Sequence, residues 1–390
     1  MNRQLQNARD GVYLDHAATS PLRPEVWKAM EAALGDADYN PASNHAAGRR
    51  AQAMLEKSRQ AIARCIEADR TDLCFTSGGT QANNLAVLGF VRARTGRSPR
   101  VFVSAVEHMA VLNAAGCAAR EGAEVREVPV DETGTIDLAA LEDGLASDPK
   151  RPTLVSLMWA NNEIGTVQPV AQALEVARRH GAVVHTDAVQ AFGKLGLSVR
   201  DIPVDMLTIT AHKVGGPVGI GALFRRPDTE LEPITFGGSQ ERSLWPGTQN
   251  VLSAIGFAKA AQLATDQRTE HVRTWAGLRE RLAERLRDGM AGVRVHGEGA
   301  SERMPNLLSV SIPNADQAAV LLGLDLERVA VSAGSACSSG SNTPSHVLEA
   351  IGEPADGDQA ILRFSFGPET TTDCVDRAAD VVVRTVQRLQ

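Results

Sequence analysis

Short apolar runs recur along the first two thirds of the chain, each breaking into glycine or polar residues and each followed by a stretch of helical period. Residues 11–21, GVYLDHAATSP, read as a short strand entering a turn, with a helix from about Pro24 to Leu34 behind it. The turn-rich YNPASNHAAG leads into a helix over about Ala46 to Glu67. Leu73 to Thr76 forms a strand that breaks into SGGT, and a helix follows over Gln81 to Val91. The alternation continues with strands at Val101–Ala105, Glu124–Val128 and Thr153–Met158 and with helices at Glu107–Glu121 and Val170–His180. Apolar runs Ala182–His185 and Met206–Thr210 and a strand at Ile220–Phe224 complete it. Strands that are apolar throughout and alternate with helices predict a largely parallel sheet covered on both faces.

From about Val251 to Met290 the pattern turns helical, with Leu278, Leu282 and Leu286 on one face. Strands at Val293–Val295, Leu307–Ile312 and Ile361–Phe366, with helices at Asp316–Gly323 and Thr371–Leu389, describe a smaller α+β unit. Val375, Ala379, Val382, Val386 and Leu389 recur at 3-to-4 spacing, so the last helix is expected to pack on the small sheet. The chain is therefore expected to hold a large α/β domain at 20–262 and a small α+β domain made of 1–19 and 263–390. No internal repeat or low-complexity linker interrupts it.

Two apolar runs end in charge. One drops into Asp187 and the other, past Thr210, into His212 and Lys213. Strand ends of this kind line the carboxyl edge of an α/β sheet, where ligands bind. A lysine in a dry site shifts toward its neutral, nucleophilic amine, which suits a Schiff base with a carbonyl cofactor. An acid suits a pyridinium nitrogen. A buried structural aspartate and a surface lysine are the alternative on these residues alone. Gly78, Gly79 and Thr80 form a strand–turn–helix junction suited to a phosphate, or needed for geometry only. The loop SAGSACSSGSNTPS, residues 332–345, is too poor in apolar side chains to pack a core and is expected to be mobile and exposed, with Cys337 in its middle.

Composition narrows the classes. A net charge of -7 leaves no basic stripe for phosphate backbones, which argues against nucleic acid, and no apolar run spans a bilayer. MNRQLQNARDG has no apolar signal region, so a cytoplasmic protein is expected. Five scattered cysteines without CxxC spacing fit free thiols in a reducing compartment and no metal site.

Ten segments in one order carry a resemblance: YLDHAATSP, NPASNHAAG, FTSGGTQANN, EHMAV, NNEIG, HTDAVQAFGKL, AHKVGGPVGIGALF, PGTQN, SAGSACSSG and LRFSFG. Together they resemble the cysteine desulfurases, class-V aminotransferases of the fold-type I pyridoxal-phosphate enzymes. The long cysteine loop followed by SNTPSHVLEAIG is similar to the branch related to NifS and IscS. The resemblance implies a mostly parallel seven-stranded sheet, pyridoxal 5'-phosphate as cofactor and a homodimer. It makes Lys213 the Schiff-base lysine, Asp187 the partner of the pyridinium nitrogen, and His108 a ring-stacking acid or base. Gln190 is implied at the ring's phenolic oxygen and Asn162 beside cofactor and substrate. Thr80, Thr210 and His212 are implied at the phosphate, joined by Thr248 from a second subunit, and Arg363 at the substrate carboxylate. The implied reaction converts L-cysteine to L-alanine, leaves a persulfide on Cys337 and passes its sulfur to a protein or small-thiol acceptor, as in iron–sulfur or thio-cofactor biosynthesis.

On residue type alone His108, Asn162, His212 and Arg363 also fit a helix turn, a capped turn, packing and a surface ion pair. Departures from the family pattern stand at Gln81, Gly215, Val218, Trp245, Pro246 and Pro368. Val218, Trp245 and Pro368 remove basic groups expected at the mouth of the site, which predicts a lower positive potential and a different substrate or acceptor. The chain also stops at Gln390, short of the tail that the housekeeping branch uses to dock its scaffold. Two rival readings are a related lyase acting on selenocysteine or a cysteine conjugate, and an inactive paralogue kept as an interaction partner.

Overall fold

Runs such as RVFVS, TLVS and MLTIT are β-branched and apolar, and each becomes a strand buried along its whole length. In the computed structural model, which describes residues 11–148, 150–333, 345–353 and 359–389, the chain starts with β1 (Val12–Tyr13). Helices α1 (Pro24–Glu31) and α2 (Ala46–Arg64) follow, then β2 (Leu73–Thr76) and α3 (Gly79–Arg92). Next come β3 (Arg100–Ser104), α4 (Met109–Arg120), β4 (Glu124–Val128), α5 (Leu138–Ala146), β5 (Thr153–Ser156), α6 (Val170–Arg179), β6 (Val183–Asp187), β7 (Met206–Thr210) and β8 (Gly221–Arg225). The order across the large sheet is β2-β8-β7-β6-β5-β3-β4, seven strands. The pairs from β7 to β4 are parallel, and β8 runs antiparallel to both neighbours.

Alternate residues of the strands feed two cores. Phe102, Val155, Val184, Leu207 and Ile209 join one face, together with Phe257, and Val101, Val103, Leu154 and Met206 join the other, with Leu85, Val87 and Val111. Both faces are thus covered, as the unbroken apolar runs require. The five parallel strands β3 to β7 aim their carboxyl ends at one edge of this sheet.

The remaining elements are α7 (Val251–Asp266), α8 (Arg268–Gly289), β9 (Arg294–Val295), β10 (Leu307–Pro313), α9 (Gln317–Leu326), β11 (Val329–Ala330), α10 (His346–Ala350), β12 (Gln359–Ser365) and α11 (Thr372–Leu389). β12, β10 and β9 form a small antiparallel sheet, and β1 pairs in parallel with β11. A third core collects Val12, Leu14, Trp275, Leu282, Leu308, Leu362 and Val382. Leu389 does not share the buried stripe of α11: it is 47% exposed because the helix ends beyond the sheet. Helix α5, which the sequence reading leaves out, is capped by Asp137, whose carboxylate accepts from the Ala139 and Ala140 amides, and it buries Leu141 and Leu145.

Candidate active site

The carboxyl edge of the large sheet gathers the polar groups. β6 ends on Asp187, which is buried and hydrogen-bonded twice. Asn83 Nδ2 donates to its Oδ2 at 2.6 Å and the Val189 amide donates to its Oδ1 at 2.9 Å. β7 ends on Thr210, and a 3-10 turn over His212–Val214 then presents Lys213. Lys213 Nζ donates to the Ala17 and Ala18 carbonyls at 2.5 and 2.7 Å, and His212 Nδ1 lies 3.1 Å from Thr19 Oγ1. The turn HAATSP after β1 therefore forms a wall of the site.

His108 follows β3 and caps α4. Its Nδ1 accepts from the Ala110 amide at 3.0 Å, which leaves the neutral ring's proton on Nε2. Burial holds this imidazole below the usual histidine range, Asp187 opposes the shift, and Lys213 adds to it. The aspartate and the lysine on adjacent strands thus act on the same histidine.

A second set of groups lies behind this edge. Burial, and then Lys213, push the Lys194 ammonium down to about 7. Burial first, with Lys194 or Lys213 after it, pushes His16 and His212 down to about 4. Glu107 is fully buried, and burial raises its carboxyl well above the carboxylate range; the Met158 amide opposes the rise and Asp187 adds to it. Its Oε1 accepts from the Met158 amide at 2.6 Å, while its Oε2 has no hydrogen-bond partner.

Residues reach the site from the small sheet as well. Arg363 on β12 is 1% exposed, so it is no surface ion pair. One of its terminal nitrogens donates to Asp15 Oδ1 at 2.8 Å and the other to the Asn162 carbonyl at 2.9 Å. Asn162 thus takes part through its backbone. Past the segment 334–344, which lies outside the described residues and contains Cys337, Ser345 donates to Glu163 Oε2 at 2.6 Å. His346 Nε2 lies 2.9 Å from the Glu107 carbonyl.

The residues fit a phosphorylated aldehyde cofactor. Gly78 has a φ of 156°, and no side chain caps α3, so the amides at its start are open to an anion. A side chain at Gly79 would press to 2.9 Å from Val189, so the backbone approach there depends on glycine. Thr80 is exposed on the first turn of α3, which starts two residues before the position read from sequence. Thr210 donates its hydroxyl to the Ile220 carbonyl at 3.0 Å and has to turn its hydrogen to serve a phosphate. Gln190 Nε2 donates to the Ala17 carbonyl at 2.9 Å. Thr248 is exposed and lines a recess of about 170 Å³ with Ser77, Gly219, Trp245 and Pro246. Of the departures, Trp245 lines this recess, Val218 adjoins its Gly219, and Pro368 is exposed beyond β12.

Sequence reasoning does not single out Asn83, Asp15, Lys194, Glu107 or Glu163. Asp15 and Lys194 lie within the quoted motifs YLDHAATSP and HTDAVQAFGKL, and Asn83 closes FTSGGTQANN, so the signal is proximity to strand ends. Among the described residues no cluster of side chains could hold a metal, and no helix is long and apolar enough to cross a membrane.

A sheet edge of this topology, with an acid and a lysine on adjacent strands, defines a class of cofactor enzyme. The aminotransferase class-V family matches residues 12–378. A cysteine desulfurase IscS of Dictyoglomus turgidum is 39% identical over 379 residues, 97% of this chain and 95% of that protein. A solved NifS-like protein superposes with a TM-score of 0.89 at 30% identity, covering 97% of this chain and 100% of that one. SspA solved in complex with cysteine gives a TM-score of 0.78 at 30% identity, over 92% of this chain and 99% of that one. The chain belongs to the cysteine desulfurases of the class-V aminotransferase family, which are pyridoxal-phosphate-dependent enzymes.

Proposed function

We propose that the protein removes sulfur from L-cysteine, leaving L-alanine, and that Cys337 receives the sulfur as a persulfide before an acceptor protein or small thiol takes it. The observation that carries the reading is the convergence on one sheet edge of Lys213, held on the Ala17 and Ala18 carbonyls, with Asp187 and His108. Bound at this edge, pyridoxal phosphate supplies an electron sink for the pair released when the substrate Cα–H bond breaks. Asp187 is the group for its ring nitrogen, Gln190 for its ring oxygen, and Asn162 lies beside it. The open start of α3 with Thr80, Thr210 and His212 receives the phosphate. Thr248, exposed on its loop, suits donation to the site of a second copy in a homodimer.

Arg363 orients the substrate carboxylate with its planar fork, itself steadied by Asp15. Lys213 takes the Cα proton as an amine, and His108, neutral with its proton on Nε2, exchanges a proton with the substrate thiol. The Cys337 thiolate attacks the substrate sulfur. The sulfur–sulfur bond forms as the Cβ–S bond breaks, and the carbon left behind takes a proton to become alanine. The free cysteines Cys65, Cys74, Cys117 and Cys374 accord with a cytoplasmic setting, and iron–sulfur or thio-cofactor synthesis is the use that fits the product.

The test is alanine and sulfide release from cysteine, with a reducing thiol present, by wild type and Cys337→Ala. The variant is expected to lose at least about tenfold in both and to carry no protein-bound persulfide. Release of both at the wild-type rate would end the reading.

A further inference from the structure

Lys194 is 4% exposed, deep behind Lys213, and no step above uses it. A lysine buried to this degree is ordinarily paired with a carboxylate. Here, among the described residues, its Nζ bonds only to Gln190, donating to the backbone carbonyl at 3.0 Å and to the side-chain Oε1 at 3.3 Å. A lysine ammonium has donors and no acceptor, so the side-chain amide turns its oxygen toward it. The Gln190 Nε2 is thereby turned away, where one hydrogen meets the Ala17 carbonyl at 2.9 Å. That same carbonyl accepts from Lys213 Nζ. Reversing the amide would set two donors against each other at Lys194 and leave the Ala17 carbonyl facing an oxygen.

We propose that Lys194 is a positioning residue: it locks the Gln190 amide in the one orientation that leaves an N–H free for the ring oxygen of pyridoxal phosphate. The inference rests on the assignment of Gln190 to that oxygen. The titratable groups bearing on Lys194 are Lys213, His16 and His212, and burial with Lys213 holds its ammonium near 7. Above that pH the neutral amine still donates to the Gln190 oxygen, and the Ala17 carbonyl, which accepts from Nε2, keeps the amide in the same orientation.

The experiment compares cofactor-loaded wild type, Gln190→Ala, Lys194→Met and the double variant. It measures the pH midpoint of the bound cofactor's visible absorption and the Kd of pyridoxal phosphate for the cofactor-free protein. Loss of a donor at the ring oxygen moves the midpoint upward. Gln190→Ala is expected to shift it by about one unit or more, and Lys194→Met by at least half as much. The double variant is expected to match Gln190→Ala alone, because Lys194 acts only through that amide. Lys194→Leu, apolar and without a donor, serves if Met prevents folding and should shift the same way. A wild-type midpoint in both Lys194 variants beside a shifted Gln190→Ala overturns the inference, as do shifts that add in the double variant. A wild-type midpoint in Gln190→Ala overturns the assignment of Gln190 as well.

Discussion

Two places in the large sheet bury charge, and they do so in opposite ways. At β2, Arg59 and Glu241, 4% and 6% exposed, form a two-pronged pair with contacts of 2.6 and 2.8 Å. Glu241 also accepts from the Phe75 amide, and Arg59 lies 4.5 Å over the Phe75 ring. The pair closes on itself. It holds the loop beyond it, where Glu241, Arg242 and Ser243 keep φ values of 46°, 59° and 62°, a run that non-glycine residues adopt only under constraint.

At the carboxyl edge several of the groups are held by backbone and amide partners. Lys213 rests on carbonyls, Lys194 on an amide, Asp187 on an amide and a backbone N–H, and Glu107 keeps an oxygen without a partner. Like charges and burial displace the amines and imidazoles from their ordinary protonation. An ion pair stabilises a shape; groups held on carbonyls and amides with displaced protonation are the mark of a working site.

The comparison can be broken at its strongest point first. Lys213→Ala is expected to abolish the visible cofactor band and lower desulfuration by about 10³-fold or more, while unfolding in denaturant stays near wild type. A large loss of stability in this variant would put the lysine among structural charges. Arg59→Met should do the reverse, because it strands a buried carboxylate and costs about 3–5 kcal/mol in urea unfolding, with the absorption midpoint unchanged. An altered midpoint there would erase the distinction.

A last test concerns acid. His16 and His185 titrate near 4 and 3 in the folded chain and near 6.5 when unfolded. The unfolded chain binds their protons first as pH falls, so stability is held above about 6.5 and lost on the way down through that window, by up to about 1.4 kcal/mol per pH unit for each ring. Urea midpoints of the cofactor-free protein at pH 7.5 and 5 should fall accordingly, and His16→Asn should lessen the fall. A difference as large in His16→Asn as in wild type would sink the assignment.

Strand ends were legible in sequence because they are local. The runs that stop at Asp187 and Thr210 show their own termination, and Lys213 follows within three residues. The partners were not legible, since Asn83 meets Asp187 across 104 residues and Asp15 meets Arg363 across 348, and nothing local to either member announces the other. Lys194, in AFGKLG, has the look of a turn residue at the surface, and only the packed structure buries it.

The turn after β1 has a consequence in time. The Leu14 amide donates to the Ala330 carbonyl, the Ser365 amide donates to the Leu14 carbonyl, and the Ala17 amide donates to the Ser365 hydroxyl at 2.8 Å. The turn is thus seated by a residue 348 positions further along the chain. The Ala17 carbonyl, which also accepts from Gln190 and Lys213, gains this long-range seat only once the small sheet has formed. Contacts of such long sequence separation form late. A wall that hangs on such a contact is complete only when the small sheet is, so loss of the Ser365 hydroxyl should loosen the carbonyls that hold Lys213.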